Sequence, residues 1–146
     1  MNPSHVFLTA LFISAVGSAK ADCYDDAGAF HSVNPWILRA ITYDESRGLA
    51  NATRRNSNGT EDVGATQTNS VHFETLRKYG IRRDDLLDAC TSVYVGAWLY
   101  AKKVRKHGNT WTAVGAYHSE TPHLRDAYAK RIKRWIDDWR REGRLQ

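Results

Sequence analysis

Apolar residues along this chain recur at helical spacing almost throughout, and almost never with the two-residue alternation of a half-buried strand. Residues 22–32 read as a first helix carrying Cys23, Ala27 and Phe30 inward. The second is strongly punctuated, with Asn34 as N-cap, Pro35 at the first helical position, Gly48 as the stop, and Ile37, Ala40 and Ile41 as its stripe. A third starts near Asn69 or Ser70 and ends at Gly80, burying Phe73, Leu76 and Tyr79. Asp84 or Asp85 caps a short turn around Leu86 and Leu87. The longest stripe follows, from Cys90 to His107 through Val93, Ala97, Tyr100, Ala101 and Val104, closed by Gly108. Trp111 to Tyr117 is a short apolar helix. The last runs from about Leu124 to Arg141, with Tyr128, Ile132, Trp135, Ile136 and Trp139 on one stripe. Only residues 50–63 depart from this pattern. They are polar, hold the turn pair Asn58-Gly59, and predict a loop or small hairpin. The fold class is therefore mostly α with a small loop or β-hairpin element. The five tryptophans are expected to give it a substantial core.

The N-terminus follows a different logic. Val6 to Val16 is almost continuously apolar, Gly17-Ser18 breaks the run, and Ala19-Lys20-Ala21 presents small side chains where a signal peptidase reads. About ten apolar residues are too few to span a bilayer, which takes about 20. Residues 1–21 thus predict a signal peptide cleaved after Ala21, leaving no transmembrane anchor and placing the mature chain in the periplasm or outside the cell. The competing reading is a buried N-terminal helix. Residues 22–146 are enough for one domain and not for two.

Two cysteines remain in the mature part, Cys23 and Cys90, and in an oxidising compartment an isolated pair predicts a disulfide. Closing that loop would contribute about 4 kcal/mol in the chain-entropy description. Two buried thiols are the alternative; neither cysteine has a Cys or His at ligand spacing, so no metal is assigned. His72, His107, His118 and His123 show no ligand spacing either. Loss of Lys20 with the leader lowers the formal charge from +5 to +4. Basic residues gather near the C-terminus (Lys130, Arg131, Lys133, Arg134, Arg140, Arg141, Arg144), as a solvated helix face or a surface for an anionic polymer would. An exported protein without a nucleic-acid-binding motif is not expected to bind nucleic acid.

Candidate chemistry lies at the end of the second helix. Glu45 follows Ile41 by four residues and Ile37 by eight, so it continues the apolar stripe and points into the core or a cleft. Desolvation and the negative end of the helix dipole would both disfavour its ionised form, as a general acid requires near neutral pH. Spacing does not separate it from Asp44, which sits beside Ala40.

Four segments in order supply a resemblance. Asn34-Pro35-Trp36-Ile37-Leu38-Arg39-Ala40-Ile41 leading into Glu45-Ser46 resembles the first motif of the soluble lytic transglycosylases, whose fold is related to goose-type lysozyme. Asp62-Val63-Gly64-Ala65-Thr66-Gln67-Thr68-Asn69-Ser70 is similar to their "G-L-M-Q-I-N" motif. The segment from Cys90 to Leu99 resembles the helix that follows it, and Trp111-Thr112-Ala113-Val114-Gly115-Ala116-Tyr117-His118-Ser119 resembles "A-Y-N-A-G". Together they span roughly residues 23–130, and the nearest branch is the small enzymes of secretion, conjugation and pilus systems.

The resemblance implies a single lysozyme-like domain whose hairpin element flanks a cleft, and cleavage of the MurNAc–GlcNAc bond of peptidoglycan with a 1,6-anhydro product. In it Glu45 is the general acid and then the base; Ser46, Gln67, Asn69 and Tyr117 line the cleft and hold substrate. Attack by the sugar's own C6 hydroxyl makes a second catalytic carboxylate unnecessary, unlike the usual glycosidase. No cofactor is implied. The partners implied are glycan strands and components of a secretion, conjugation or pilus apparatus, with the enzyme a monomer. Departures are Ala65-Thr66 for Leu-Met, which predicts a poorer apolar floor for the sugar, Thr68 for an apolar residue, and Arg47, a cation beside Glu45. They keep two alternatives open, a catalytically weak or inactive peptidoglycan-binding assembly protein and a hydrolytic muramidase aided by Asp62 or Asp44.

Overall fold

The computed structural model describes residues 22–145, so the leader expected over residues 1–21 lies outside the described residues. Six helices occur among them: α1 (Cys23–His31), α2 (Pro35–Ser46), α3 (Phe73–Arg77), α4 (Ala89–His107), α5 (Trp111–His118) and α6 (Pro122–Arg141). Three short strands, β1 (Thr53–Arg55), β2 (Glu61–Val63) and β3 (Thr68–Asn69), form an antiparallel sheet in that order. This is the mostly α, lysozyme-like architecture the sequence predicts.

Capping chemistry sets the helix starts. The Asn34 side chain accepts from the Trp36 amide with Pro35 at the first helical position, and the Asp88 side chain accepts from the Thr91 amide to open α4. The stop of α2 comes at Arg47, in the left-handed conformation at φ 59°, with Gly48 following it in the same region. Pro122 starts α6 two residues before the predicted Leu124.

α4 crosses the middle of the molecule, with α1 and α5 packed on it and α2 and α6 completing the main core. That core joins Leu38, Ala40 and Ile41 of α2 to Val93, Ala97 and Tyr100 of α4 and to Tyr128, Ile132, Ile136 and Trp139 of α6. A smaller cluster of Val63, Leu76, Leu86 and Val95 ties the sheet and α3 to the other side of α4. The Cys23–Cys90 disulfide forms, pinning α1 to the start of α4 across 67 residues with the Cα atoms 5.4 Å apart.

Several expectations about burial are corrected. Phe30 is 75% exposed and Tyr79 71% exposed. α1 presses inward through Ala27 and Gly28, which leaves Phe30 on its outer side against Tyr94. α3 stops at Arg77, so the helical register that would bring Tyr79 beside Leu76 is lost. Leu38 is fully buried with Ala40 and Ile41 on α2, and Ile37 only packs at the margin of the core. Of the tryptophans only Trp139 is buried; Tyr100 and Tyr128 are the largest side chains sealed inside.

The loop from β2 to β3 is clamped to α4 and to the 3-10 turn Arg83–Leu87 before it by two close approaches. Gly64 has φ +83°, and a Cβ there would stand 2.1 Å from the Leu86 carbonyl oxygen. Gly96 of α4 lets the Thr66 side chain lie on the helix, where a Cβ would come within 2.7 Å of it. Thr66 Oγ1 then donates to the Ser92 carbonyl over 2.9 Å, and the Thr66 amide donates to Ser92 Oγ over 3.1 Å.

Candidate active site

A cleft of about 670 Å³ opens between the sheet on one side and α4 and the end of α5 on the other, and Glu45 lies in its wall. The sheet register supplies one wall directly. Arg54 stands opposite Asp62 across the β1–β2 pair, and Asp62 opposite Asn69 across β2–β3, so the three side chains share one face. All three line the cleft, while the neighbouring row turns Val63 and Thr68 into the core.

The ambiguity between Asp44 and Glu45 disappears once α6 is in place. Asp44 Oδ1 accepts from the Trp135 indole over 3.0 Å and Oδ2 from Arg131 Nε over 3.3 Å. It is therefore a half-buried tie between α2 and α6 and does not line the cleft. Glu45 does line it, and its Oε1 accepts from the Tyr128 hydroxyl over 2.7 Å. Burial raises the Glu45 carboxyl above its ordinary value, and the charges of Asp44 and Asp62 push it the same way. The Tyr128 hydrogen bond and the Arg54 charge oppose this without cancelling it.

Asp62, the carboxylate of the sheet wall, shifts in the opposite direction. Burial would raise it, but its Oδ2 accepts from Asn56 and from two nitrogens of Arg54, and Oδ1 from Asn69 over 2.7 Å. These donors outweigh desolvation and hold it ionised. Two acids in one cleft with opposite tendencies form the pattern that assigns proton donor and anion in glycoside chemistry.

The remaining residues singled out in the sequence sit as follows. Gln67 lines the cleft in the left-handed region at φ 50°, its amide nitrogen donating to the Ala52 and Gly64 carbonyls. Its side-chain oxygen takes no hydrogen bond among the described residues. Asn69 lines the cleft, donates to Thr60 and Asp62, and caps the 3-10 turn Ser70–His72 through the Val71 amide. Tyr117 lines it too, but its hydroxyl donates to the Thr66 carbonyl over 2.9 Å. Burial and the nearby Glu45 charge push that phenol up, so it stays protonated. Ser46 is not among the cleft-lining residues; its hydroxyl donates to the Ala65 carbonyl over 2.6 Å and so fastens the end of α2 to the β2–β3 loop.

Two expectations about the departures are corrected. Ala65 and Thr66 are each 1% exposed, Thr66 lies on α4, and neither lines the cleft, so they are not its floor. The Arg47 guanidinium lies 4.7 Å and 5.3 Å from the ring centres of Tyr43 and Trp135; the cation acting on Glu45 is Arg54.

Sequence reasoning missed Arg54, Asn56 and Tyr128. The signal for Tyr128 was one hydroxyl on the otherwise apolar α6 stripe, since a buried phenol needs a partner. His118 stacks flat on Tyr128, ring centres 5.0 Å apart.

The transglycosylase SLT domain model matches residues 22–139. The chain belongs to the transglycosylase SLT domain family. Invasion protein IagB of Salmonella typhimurium is similar at 35% identity, over 88% of this chain and 83% of that protein. An X polypeptide of Escherichia coli is similar at 38% identity, over 86% and 80%, and Protein IpgF of Shigella flexneri at 34%, over 96% and 90%. Membership makes the protein a lytic transglycosylase with peptidoglycan as its substrate. Among the described residues no helix is long and apolar enough to cross a membrane.

Proposed function

We propose that Glu45 carries the reaction alone, as acid and then as base, on the bond between MurNAc and GlcNAc. The protonated carboxyl delivers its proton to the glycosidic oxygen as that bond breaks. The resulting carboxylate takes the proton of the MurNAc C6 hydroxyl, whose oxygen closes on C1 to give the 1,6-anhydro sugar. The observation that carries this reading is that Glu45 is the one cleft-lining carboxylate pushed toward its neutral form. Asp62 has both oxygens taken by donors, which suits an anion that stabilises positive charge developing on the sugar and not a base that activates water. Tyr128 orients Glu45, while Gln67, Asn69 and Tyr117 shape the substrate's bed; Ser46 holds the end of α2 in place.

The setting we propose is the periplasm, reached by the leader at residues 1–21, where a monomeric enzyme opens the wall locally for a secretion, conjugation or pilus apparatus. The word "invasion" in the name of the Salmonella relative supports that setting. Incubation of the mature protein with purified sacculi, followed by mass spectrometry of the soluble products, tests the reaction. Anhydro-muropeptides that vanish with Glu45→Gln are expected. Reducing-end products instead would point to hydrolysis, and binding without any release to an assembly role.

A further inference from the structure

The two walls of the cleft differ in charge. On the sheet side Arg54 is matched by Asp62. On the helix side Lys102, Lys103 and Lys106 of α4 all line the cleft, and the acid among them is Glu120. Glu120 takes Lys103 at 2.6 Å and Lys106 at 3.1 Å, and these lysines push its carboxyl down to about 2. Lys102 leans on Trp98, 4.6 Å from the ring centre, and pairs with no carboxylate among the described residues. One carboxylate facing three ammonium groups leaves two positive charges in excess. Lys102 and Lys106 are four residues apart on one helix face, a spacing at which like charges repel. By contrast, Lys133, Arg140 and Arg141 of α6 pair with Asp137 and Asp138 one turn away.

The sugars of a peptide-bearing strand give such a wall no partner, because a MurNAc whose lactyl group is in amide linkage carries no charge. The peptides attached there carry free carboxylates. We propose that the α4 wall is a subsite for stem-peptide carboxylates, so that the enzyme engages strands with charged stem peptides in preference to strands whose peptide carboxylates are neutralised. The inference rests on the reading of this cleft as the murein-cleaving site.

The test is binding of the mature protein to native sacculi and to sacculi whose carboxylates have been amidated with glycinamide, with soluble anhydro products measured in the same tubes. Wild type is expected to bind native sacculi about 5-fold or more tightly than amidated ones, a preference that fades as salt rises from about 50 to 300 mM. In Lys102→Gln/Lys106→Gln that ratio should drop to below about 2, with the urea midpoint confirming a folded protein. A wild-type ratio near one, or a ratio that the double variant keeps, overturns the subsite. Charge preference without anhydro products sinks the transglycosylase reading alone, and anhydro products without preference sink the subsite alone.

Discussion

Replacing Tyr128 with Phe removes the hydroxyl that donates to Oε1 of Glu45 over 2.7 Å and changes nothing else in the covalent structure. A hydrogen bond to an ionised carboxylate contributes about 1.5–3 kcal/mol and one to a neutral acceptor about 0.5–1.5 kcal/mol. The difference, about 1–1.5 kcal/mol, favours the ionised form in the wild type. Since 1.36 kcal/mol corresponds to a factor of ten in a protonation equilibrium, its loss raises the Glu45 carboxyl further. An acid catalyst works while it holds its proton, so activity falls as pH climbs through the Glu45 value. The alkaline limb of the rate profile should therefore move up by about one pH unit in Tyr128→Phe. The maximum rate should drop by up to about 100-fold, because the carboxyl loses the group that orients it. The assay is the initial rate of anhydro-muropeptide release from sacculi across the pH range, with denaturant unfolding alongside to confirm the fold. A limb that stays where it was, or moves to lower pH, would refute the assignment of Glu45 as the acid that Tyr128 holds.

Glu45→Gln should change stability with pH in a definite direction. The folded carboxyl lies above its ordinary 4.5, so its contribution is fully present below that value and is lost as pH rises through the folded value. The variant should thus gain melting temperature over wild type above the folded value and converge with it in acid; a variant less stable at every pH would contradict the burial argument. Asp44→Ala should lower stability by about 1–3 kcal/mol in urea unfolding by stranding the Trp135 indole, yet leave activity per folded molecule within about tenfold of wild type. A loss as deep as that of Glu45→Gln would mean Asp44 shares the chemistry. Gly64→Ala combines a left-handed φ with a Cβ 2.1 Å from the Leu86 oxygen and should lose about 2–5 kcal/mol or fail to fold; a midpoint unchanged from wild type would show that the β2–β3 loop is free to move.

The helices were legible because their signals are local. Asn34 and Pro35 start α2 through groups within two residues, and the α4 and α6 stripes repeat every turn. Cys23 and Cys90 announced their disulfide by being the only cysteines in the chain. β3 was not legible, since two residues carry no period and depend on β2 for their partner. Phe30 was misplaced because apolar character alone does not say which side of a short helix faces the body, and Tyr79 because α3 ends two residues before it.

At the active site the division is sharper. Helical phase put Glu45 at the inner end of α2, but Asp44 is its neighbour in the chain, and no local rule separates the two. The separation comes from α6, which brings Trp135 and Arg131 to Asp44 and Tyr128 to Glu45 across 83 to 91 residues. In the same way Asp62 becomes a permanent anion only when strand register sets Arg54 and Asn69 on either side of it. Sequence alone therefore determined which helices form and which family they build. Only tertiary packing decided which acid is neutral and which is charged, because burial and hydrogen-bond partners belong to the folded neighbourhood and not to the residue.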